Sequence, residues 1–326
     1  MKRWTWIGVG VFGLVLYAVV VALAVITPKM ETHSTPTEQT YADLRKTFKT
    51  QLRASTAPRT PVDDPPPAVF TKLKYKAPVG DLWAYLTPDP KDGKKHPAIL
   101  WIHGGDCNSI GECWEPGRPA NDQTAAAYRN AGIVMMLPSL RGGNDNPGPR
   151  EGFLGEVDDV LAAADFLASQ PFVDPDRIYL GGHSTGATLV LLVAETSARF
   201  RTVFAFGPVP SPMMYGEDTL LPFDHSAFRN TEVMMRSPVL FMPSIKNPVY
   251  ILEGTNPGSN WEPIQTFAKN SKNPKLKIIG LKDGSHFNVL APMNEIIAQK
   301  IFKDEGPVPQ ISISDEDIPK EFPVGL

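Results

Sequence analysis

The stretch Arg177-Ile178-Tyr179-Leu180-Gly181-Gly182-His183-Ser184-Thr185-Gly186-Ala187-Thr188-Leu189-Val190-Leu191-Leu192 decides the fold. A short apolar run leads into Gly182-x-Ser184-x-Gly186, and an apolar helical pattern leads out. The five-residue pattern alone is weak, since it arises by chance about once in ten chains of this composition. Its setting is more specific. Strand, tight turn and helix in that order hold a serine above a sheet edge, where its hydroxyl can act as a nucleophile. The flanking glycines relieve the crowding of so tight a turn. The bland alternative is a helix cap, with Ser184 or Thr185 accepting from backbone amides.

Working outward, the chain alternates. Residues 98–102, 133–137, 177–180, 202–206, 249–252 and 276–281 read as strands. Residues 123–130, 155–169, 185–194, 262–270 and 288–302 read as helices between and after them. Such alternation means parallel βαβ units, with helices on both faces of one sheet. Two further runs, 69–75 and 82–86, read as an antiparallel pair ahead of it. The fold class is therefore α/β, with a mostly parallel, doubly wound sheet over residues 69–302. Residues 208–247, rich in Pro, Met and Phe, break the rhythm and read as a lid-like insertion. Residues 303–326 read as a polar tail.

A serine hydroxyl needs a base. Of the six histidines, His286 stands after the last strand, in Asp283-Gly284-Ser285-His286, just before the final helix. Strand ends converge on one edge in this topology, so His286 can reach Ser184. His183 is expected to point into the turn and His103 to orient a loop. His33 and His96 fall in exposed segments, and His225 in the insertion. The tetrahedral oxyanion needs backbone donors. Thr185, next after the serine, supplies one, and Gly105, in His103-Gly104-Gly105 after a strand, supplies the other.

These pieces, in this order, resemble the α/β-hydrolase superfamily and, within it, the prolyl-oligopeptidase-type catalytic domain. The resemblance is carried by His103-Gly104-Gly105, Leu140-Arg141-Gly142-Gly143, Gly182-His183-Ser184-Thr185-Gly186 and Gly284-Ser285-His286, with Asp174-Pro175-Asp176-Arg177 ahead of the elbow strand. It spans residues 69–302 and implies an α/β-hydrolase fold and a serine hydrolase acting through an acyl-enzyme. It leaves too short a preceding segment for the β-propeller of full-length relatives. A prolyl-oligopeptidase-like peptidase is slightly favoured, with a carboxylesterase of small acyl esters as the alternative. A silent binding protein on the same fold is the reading from another class.

The departure from the family pattern is the acid. Relatives place an Asp in the loop after the strand at 249–252, but this chain reads Glu253-Gly254-Thr255-Asn256-Pro257-Gly258-Ser259-Asn260-Trp261-Glu262. Glu253, at the strand end, is the first choice for orienting the imidazole. Glu262 is the second, and Asn260 could orient the ring without charge. Asp283 is too close along the chain to His286. Arg141 is expected to pair with Glu156 or Asp159 rather than to bind substrate.

Composition bounds the rest. The chain has 326 residues, 42% hydrophobic and 21% charged, which are globular proportions. A net charge of −3 without a long basic run argues against nucleic acid as a partner. No phosphate loop or His-rich cluster points to a metal or other cofactor. Residues 6–26 carry no charge and follow Lys2 and Arg3. As a helix of roughly 31 Å they would cross a membrane. That makes residues 1–27 a transmembrane signal anchor, with the rest periplasmic or extracellular. Cleavage after the small residues near 22–24 would instead secrete the protein. Residues 28–68 hold seven prolines and read as an extended linker with a short helix near 40–53. In an exported domain Cys107 and Cys113, six residues apart, would form a disulfide beside the oxyanion loop. The expected partner is a small ester or peptide substrate.

Overall fold

The pleat of the central strands sorts their side chains into two separate cores. Ala98, Leu100 and Ile102 pack on one face of the sheet, while Ile99 and Trp101 pack on the other. The same division repeats with Ile178 and Leu180 against Tyr179, Val203 and Ala205 against Phe204 and Phe206, and Val249 and Ile251 against Tyr250 and Leu252. Strands apolar on both sides belong in a sheet covered on both faces. The computed structural model describes residues 40–53, 59–216, 221–224 and 230–324.

In chain order the described elements are α1 (Tyr41–Thr47), β1 (Thr71–Ala77), β2 (Gly80–Leu86), β3 (His96–Ile102), α2 (Ala127–Asn130), β4 (Val134–Pro138), α3 (Glu156–Ala168), β5 (Val173–His183), α4 (Thr185–Thr196), β6 (Val203–Phe206), α5 (Thr231–Met234), β7 (Val249–Gly254), α6 (Trp261–Asn270), β8 (Leu276–Leu281) and α7 (Leu290–Lys303). The sheet runs β1-β2-β4-β3-β5-β6-β7-β8. β1 and β2 pair antiparallel, as do β2 and β4, and every other pair is parallel. Helices α3 and α4 cover one face, and α7 covers the other. The sheet is thus the mostly parallel, doubly wound one expected.

The chain leaves β3 toward β4 on one side and leaves β5 toward β6 on the other. Connections that diverge in this way open a crevice at the carboxyl ends of two adjacent strands. Here that crevice lies between the exits of β3 and β5, after Ile102 and after His183.

Three expectations need correction or restriction. Residues 40–53 are not extended linker. Tyr41 is fully buried, its ring stacks 4.3 Å from Phe241, and its hydroxyl donates to the Met235 carbonyl at 2.6 Å. Arg45 pairs with Asp158 and donates to the Leu154 carbonyl. The apolar stripe of Tyr41, Leu44 and Phe48 drives this docking, against the core that also holds α4. Val62 likewise joins the core of the opposite face. Secondly, the helix expected from residue 123 begins only at Ala127. Asp122 accepts from the Thr124 amide, and Ala125 has φ of 48°, which makes a turn of the segment. Thirdly, the predicted anchor at 1–27 lies outside the described residues. Among the described residues no helix is long and apolar enough to cross a membrane.

The tail at 303–324 packs back on the body. Asp304 is buried against Arg201 and Tyr179, and Ile313 and Phe322 enter the core beside α7. At the sheet margins, β1 carries Lys72, Lys74 and Lys76, and β8 carries Lys277 between Lys275 and Lys282.

Candidate active site

Ser184 caps the start of α4 with φ of 53° and ψ of −116°. A non-glycine residue rarely adopts positive φ, and such strain gathers at functional sites. The surrounding glycines are sterically required. A Cβ on Gly186 would stand 2.2 Å from the Ile102 carbonyl oxygen, and one on Gly182 2.8 Å from the Gly186 backbone. The elbow therefore wedges the start of α4 against the end of β3. The Ser184 amide donates to the Phe206 carbonyl at 2.7 Å, which fixes the turn to β6 as well.

The loop after β8 brings His286 to the same edge. Its Nδ1 lies 3.0 and 3.3 Å from the two carboxylate oxygens of Glu253. Glu253 is fully buried near the end of β7, and its Oε1 also accepts from the Asn260 amide at 3.0 Å. The acid thus stands on the strand itself, not in the following loop, where the extra methylene of Glu extends the reach from a more rigid base. With Nδ1 occupied, Nε2 is the ring nitrogen left to face a hydroxyl. Phe287 stacks edge-on against His286, 4.9 Å between centroids, and remains partly exposed.

Of the other candidates, Asn260 does not meet the ring. Its side chain donates to the Gly207 carbonyl at 2.9 Å, while its amide steadies Glu253. Glu262 is exposed in the first turn of α6 and shows no contact with His286. Gly207 escaped the sequence reading. With φ of 62°, it lies so close that a Cβ would come within 2.3 Å of Glu253 Oε2 and 2.5 Å of the His286 ring. Its signal was a glycine directly after an apolar strand, which looks like any turn.

Thr185 and Gly105 lie side by side across the crevice. The Thr185 hydroxyl donates to the Gly105 carbonyl at 2.8 Å. The Thr185 amide opens α4 and so has no acceptor within the helix. The Gly104 amide is taken by Gln123, which leaves the Gly105 amide as the other donor of the pair. Gly105 has φ of 74°, accessible to glycine at little cost. Next to it, Asp106 makes two bonds of 2.7 and 2.8 Å to Arg150, which pins the loop from outside. His103 bonds the carbonyls of Gly104 and Ser109. Arg141 pairs with Asp159 and Glu151, so its guanidinium is engaged within the fold.

The expected disulfide is absent: Cys107 and Cys113 are both free thiols. Cys107 is buried in the core that holds α3 and α4, whereas Cys113 packs against the opposite core. The two side chains lie on different layers, so six residues of separation do not bring the sulfurs together. Burial pushes the Cys113 thiol up to about 12 and the Cys107 thiol higher still. Among the described residues no group of His, Cys, Asp and Glu could hold a metal ion.

The insertion at 208–247 contributes Tyr215, whose hydroxyl lies 2.6 Å from Thr188 Oγ1, one turn beyond Ser184. Burial raises the Tyr215 hydroxyl far above its ordinary value, so it stays protonated.

A strained serine at a strand-to-helix elbow, with a histidine and a buried carboxylate gathered at the same sheet edge, is the architecture of an α/β-hydrolase. Residues 120–256 match the model of the prolyl oligopeptidase family. Dipeptidyl-peptidase 5 of Porphyromonas gingivalis is 30% identical over 121 residues, which is 34% of this chain and 16% of the relative. Among solved structures, a puromycin-hydrolyzing peptidase of Mycobacterium tuberculosis superposes with a TM-score of 0.59 at 18% identity, covering 72% of this chain and 40% of its own. The acylaminoacyl peptidase of Pyrococcus horikoshii gives 0.58 at 16%, covering 77% and 44%. The chain spans less than half the length of each of these proteins.

Proposed function

We propose that this chain is a serine hydrolase that cleaves a peptide or ester bond through an acyl-enzyme, with peptides as the favoured substrates. The observation that carries the reading is the Glu253–His286 contact at the sheet edge that presents Ser184. Ser184 Oγ attacks the substrate carbonyl while His286 Nε2 accepts its proton. Glu253 holds the Nδ1 proton and stabilises the imidazolium that forms. The amides of Thr185 and Gly105 donate to the oxyanion. The tetrahedral species collapses, His286 returns the proton to the departing amine or alcohol, and Ser184 is left acylated. Water, deprotonated by His286, then releases the acid.

The buried carboxylate favours an enzyme over a silent binding protein, because Glu253 meets His286 where the family pattern has an Asp. Most of the relatives' names are those of peptidases, which favours peptides, dipeptidyl or N-acylated, over simple esters. Tyr215, from the insertion, stands beside the site through its contact with Thr188, one turn beyond Ser184. From the sequence alone, the domain is anchored to a membrane by residues 1–27 and works outside the cytoplasm. Retention of the full-length protein on membranes after an alkaline carbonate wash is the expected result, and its release would end that part of the reading.

The direct test is labelling with a fluorophosphonate probe. Wild type reacts at Ser184 and Ser184→Ala does not; an inert wild type would sink the enzyme reading. A panel of dipeptidyl and acyl-aminoacyl amides against short acyl esters then separates the peptidase from the carboxylesterase.

A further inference from the structure

The histidine beside the nucleophile is part of a hydrogen-bonded chain that crosses the site from behind. His183 is buried at 1% exposure. Its Nε2 lies 2.9 Å from the His286 carbonyl oxygen, an atom that only accepts. Nε2 therefore carries the proton, and Nδ1 is a bare acceptor. Nδ1 lies 2.9 Å from Gln123 Nε2 and 3.1 Å from Gln123 Oε1, and of these two atoms only Nε2 can donate to it. The Gln123 amide is fixed in that orientation from both sides. Its Nε2 also donates to Asn121 Oδ1 at 2.7 Å, and its Oε1 accepts the Gly104 amide at 3.2 Å.

Every link therefore has one permitted direction, from the Gly104 amide through Gln123 and His183 to the His286 carbonyl. The same contact explains why residue 104 has no side chain, since a Cβ there would stand 2.7 Å from His183 Nδ1. The rings of His183 and His286 lie 4.5 Å apart. Burial, reinforced by the neighbouring His286, pushes His183 down to about 3, so it remains neutral beside a base that must take up charge.

We propose that Gln123 and His183 are positioning residues that lock the oxyanion loop and the loop of the catalytic histidine into one register. The proposal rests on the hydrolase reading and deepens it. Neither side chain meets substrate. Their action is to hold two backbone segments, one bearing the oxyanion donors and one bearing His286, at a fixed separation around Ser184. A loss of this order belongs to preorganisation, in which small misplacement costs rate more than binding.

The test pairs kinetics with an activity-independent signature. Gln123→Ala is expected to lower the fluorophosphonate labelling rate and kcat at least tenfold, with KM within threefold of wild type and the melting temperature little changed. Imidazole nitrogen NMR on the wild type should show one histidine as the neutral Nε2–H form throughout pH 5–8. In Gln123→Glu the new carboxylate should draw a proton onto Nδ1, so the same histidine titrates at a higher pH than in wild type. His183→Gln, which keeps a donor toward the His286 carbonyl, should retain more activity than His183→Ala. Labelling of Gln123→Ala at the wild-type rate, or an Nδ1–H form of His183, overturns the proposal while leaving the hydrolase reading intact. A wild type that fails to label at Ser184 overturns both, even with the expected NMR signature.

Discussion

The two ends of helix α4 treat buried polar groups in opposite ways. At its start, Ser184 is strained, and the carboxylate proposed to serve the site, Glu253, is buried with an imidazole and a backbone amide on its oxygens. In its last turn, Glu195 is equally buried, yet neither of its carboxylate oxygens has a partner among the described residues. Burial without a partner raises the Glu195 carboxyl well above the ordinary carboxylate range, so it is a neutral acid. The difference teaches that depth alone does not make a catalytic carboxylate. The partners do, and they are concentrated at the end of the helix that meets the crevice.

This contrast can be broken at four points, with effects that diminish in order. Ser184→Ala should abolish hydrolysis of an aryl ester or dipeptidyl amide, a loss of about 10⁴-fold or more in kcat. Glu253→Gln keeps the shape but removes the charge opposite the imidazolium. It should cost on the order of 10³-fold in kcat with a small change in KM. A variant near wild-type activity would remove Glu253 from the mechanism. Gly207→Ala forces a Cβ against Glu253 and His286, at a positive φ that alanine resists. Activity should fall by about two orders of magnitude, and urea unfolding should report a loss of about 1–3 kcal/mol.

The smallest effect lies at the far end. Glu195→Met should leave activity unchanged and raise stability by about 1–2 kcal/mol, since it removes an unsatisfied buried acid. The sign of the pH effect follows from the raised pKa. In wild type the folded state holds a proton on Glu195 that the unfolded state has released above the normal carboxylate range. Stability from this group is complete at pH below the unfolded value and declines as pH rises toward the folded value. Glu195→Gln should flatten the fall in melting temperature between pH 5 and 8. An unchanged slope would mean that Glu195 has partners or water that keep it charged.

The sheet was legible because its signals are local and repeated. Apolar runs such as 276–281 stand at the boundaries of β8 itself. The elbow was legible because Gly182 and Gly186 answer a steric demand that only a close strand–helix packing creates. Glu253 could be favoured over Asn260 and Glu262 by position alone, but its contact depends on how far β7 projects beyond β6. Gln123 was read as part of a helix, since its neighbours Thr124 and Ala125 hide the turn that aims it at His183. The cysteine pair failed for a related reason: chain separation says nothing about which layer a side chain enters. The docking of Tyr41 was muted by the prolines around it, although the stripe that drives it was visible.

The lysines of the two outermost strands have a consequence for the protein in solution. Among the described residues β1 and β8 each pair on one side only, which leaves a row of backbone donors and acceptors open to another chain. Lys72, Lys74 and Lys76 on β1, and Lys275, Lys277 and Lys282 around β8, set ammonium groups along both margins. Lys72 and Lys74 also lie over the Trp83 ring, at 5.3 and 4.4 Å, which shields an apolar surface beside β1. A second copy that tried to extend the sheet would bring like charges together and strip them of water. Among the described residues the sheet therefore ends at margins whose charge opposes extension, and concentrated solutions of the domain should resist fibrillar association.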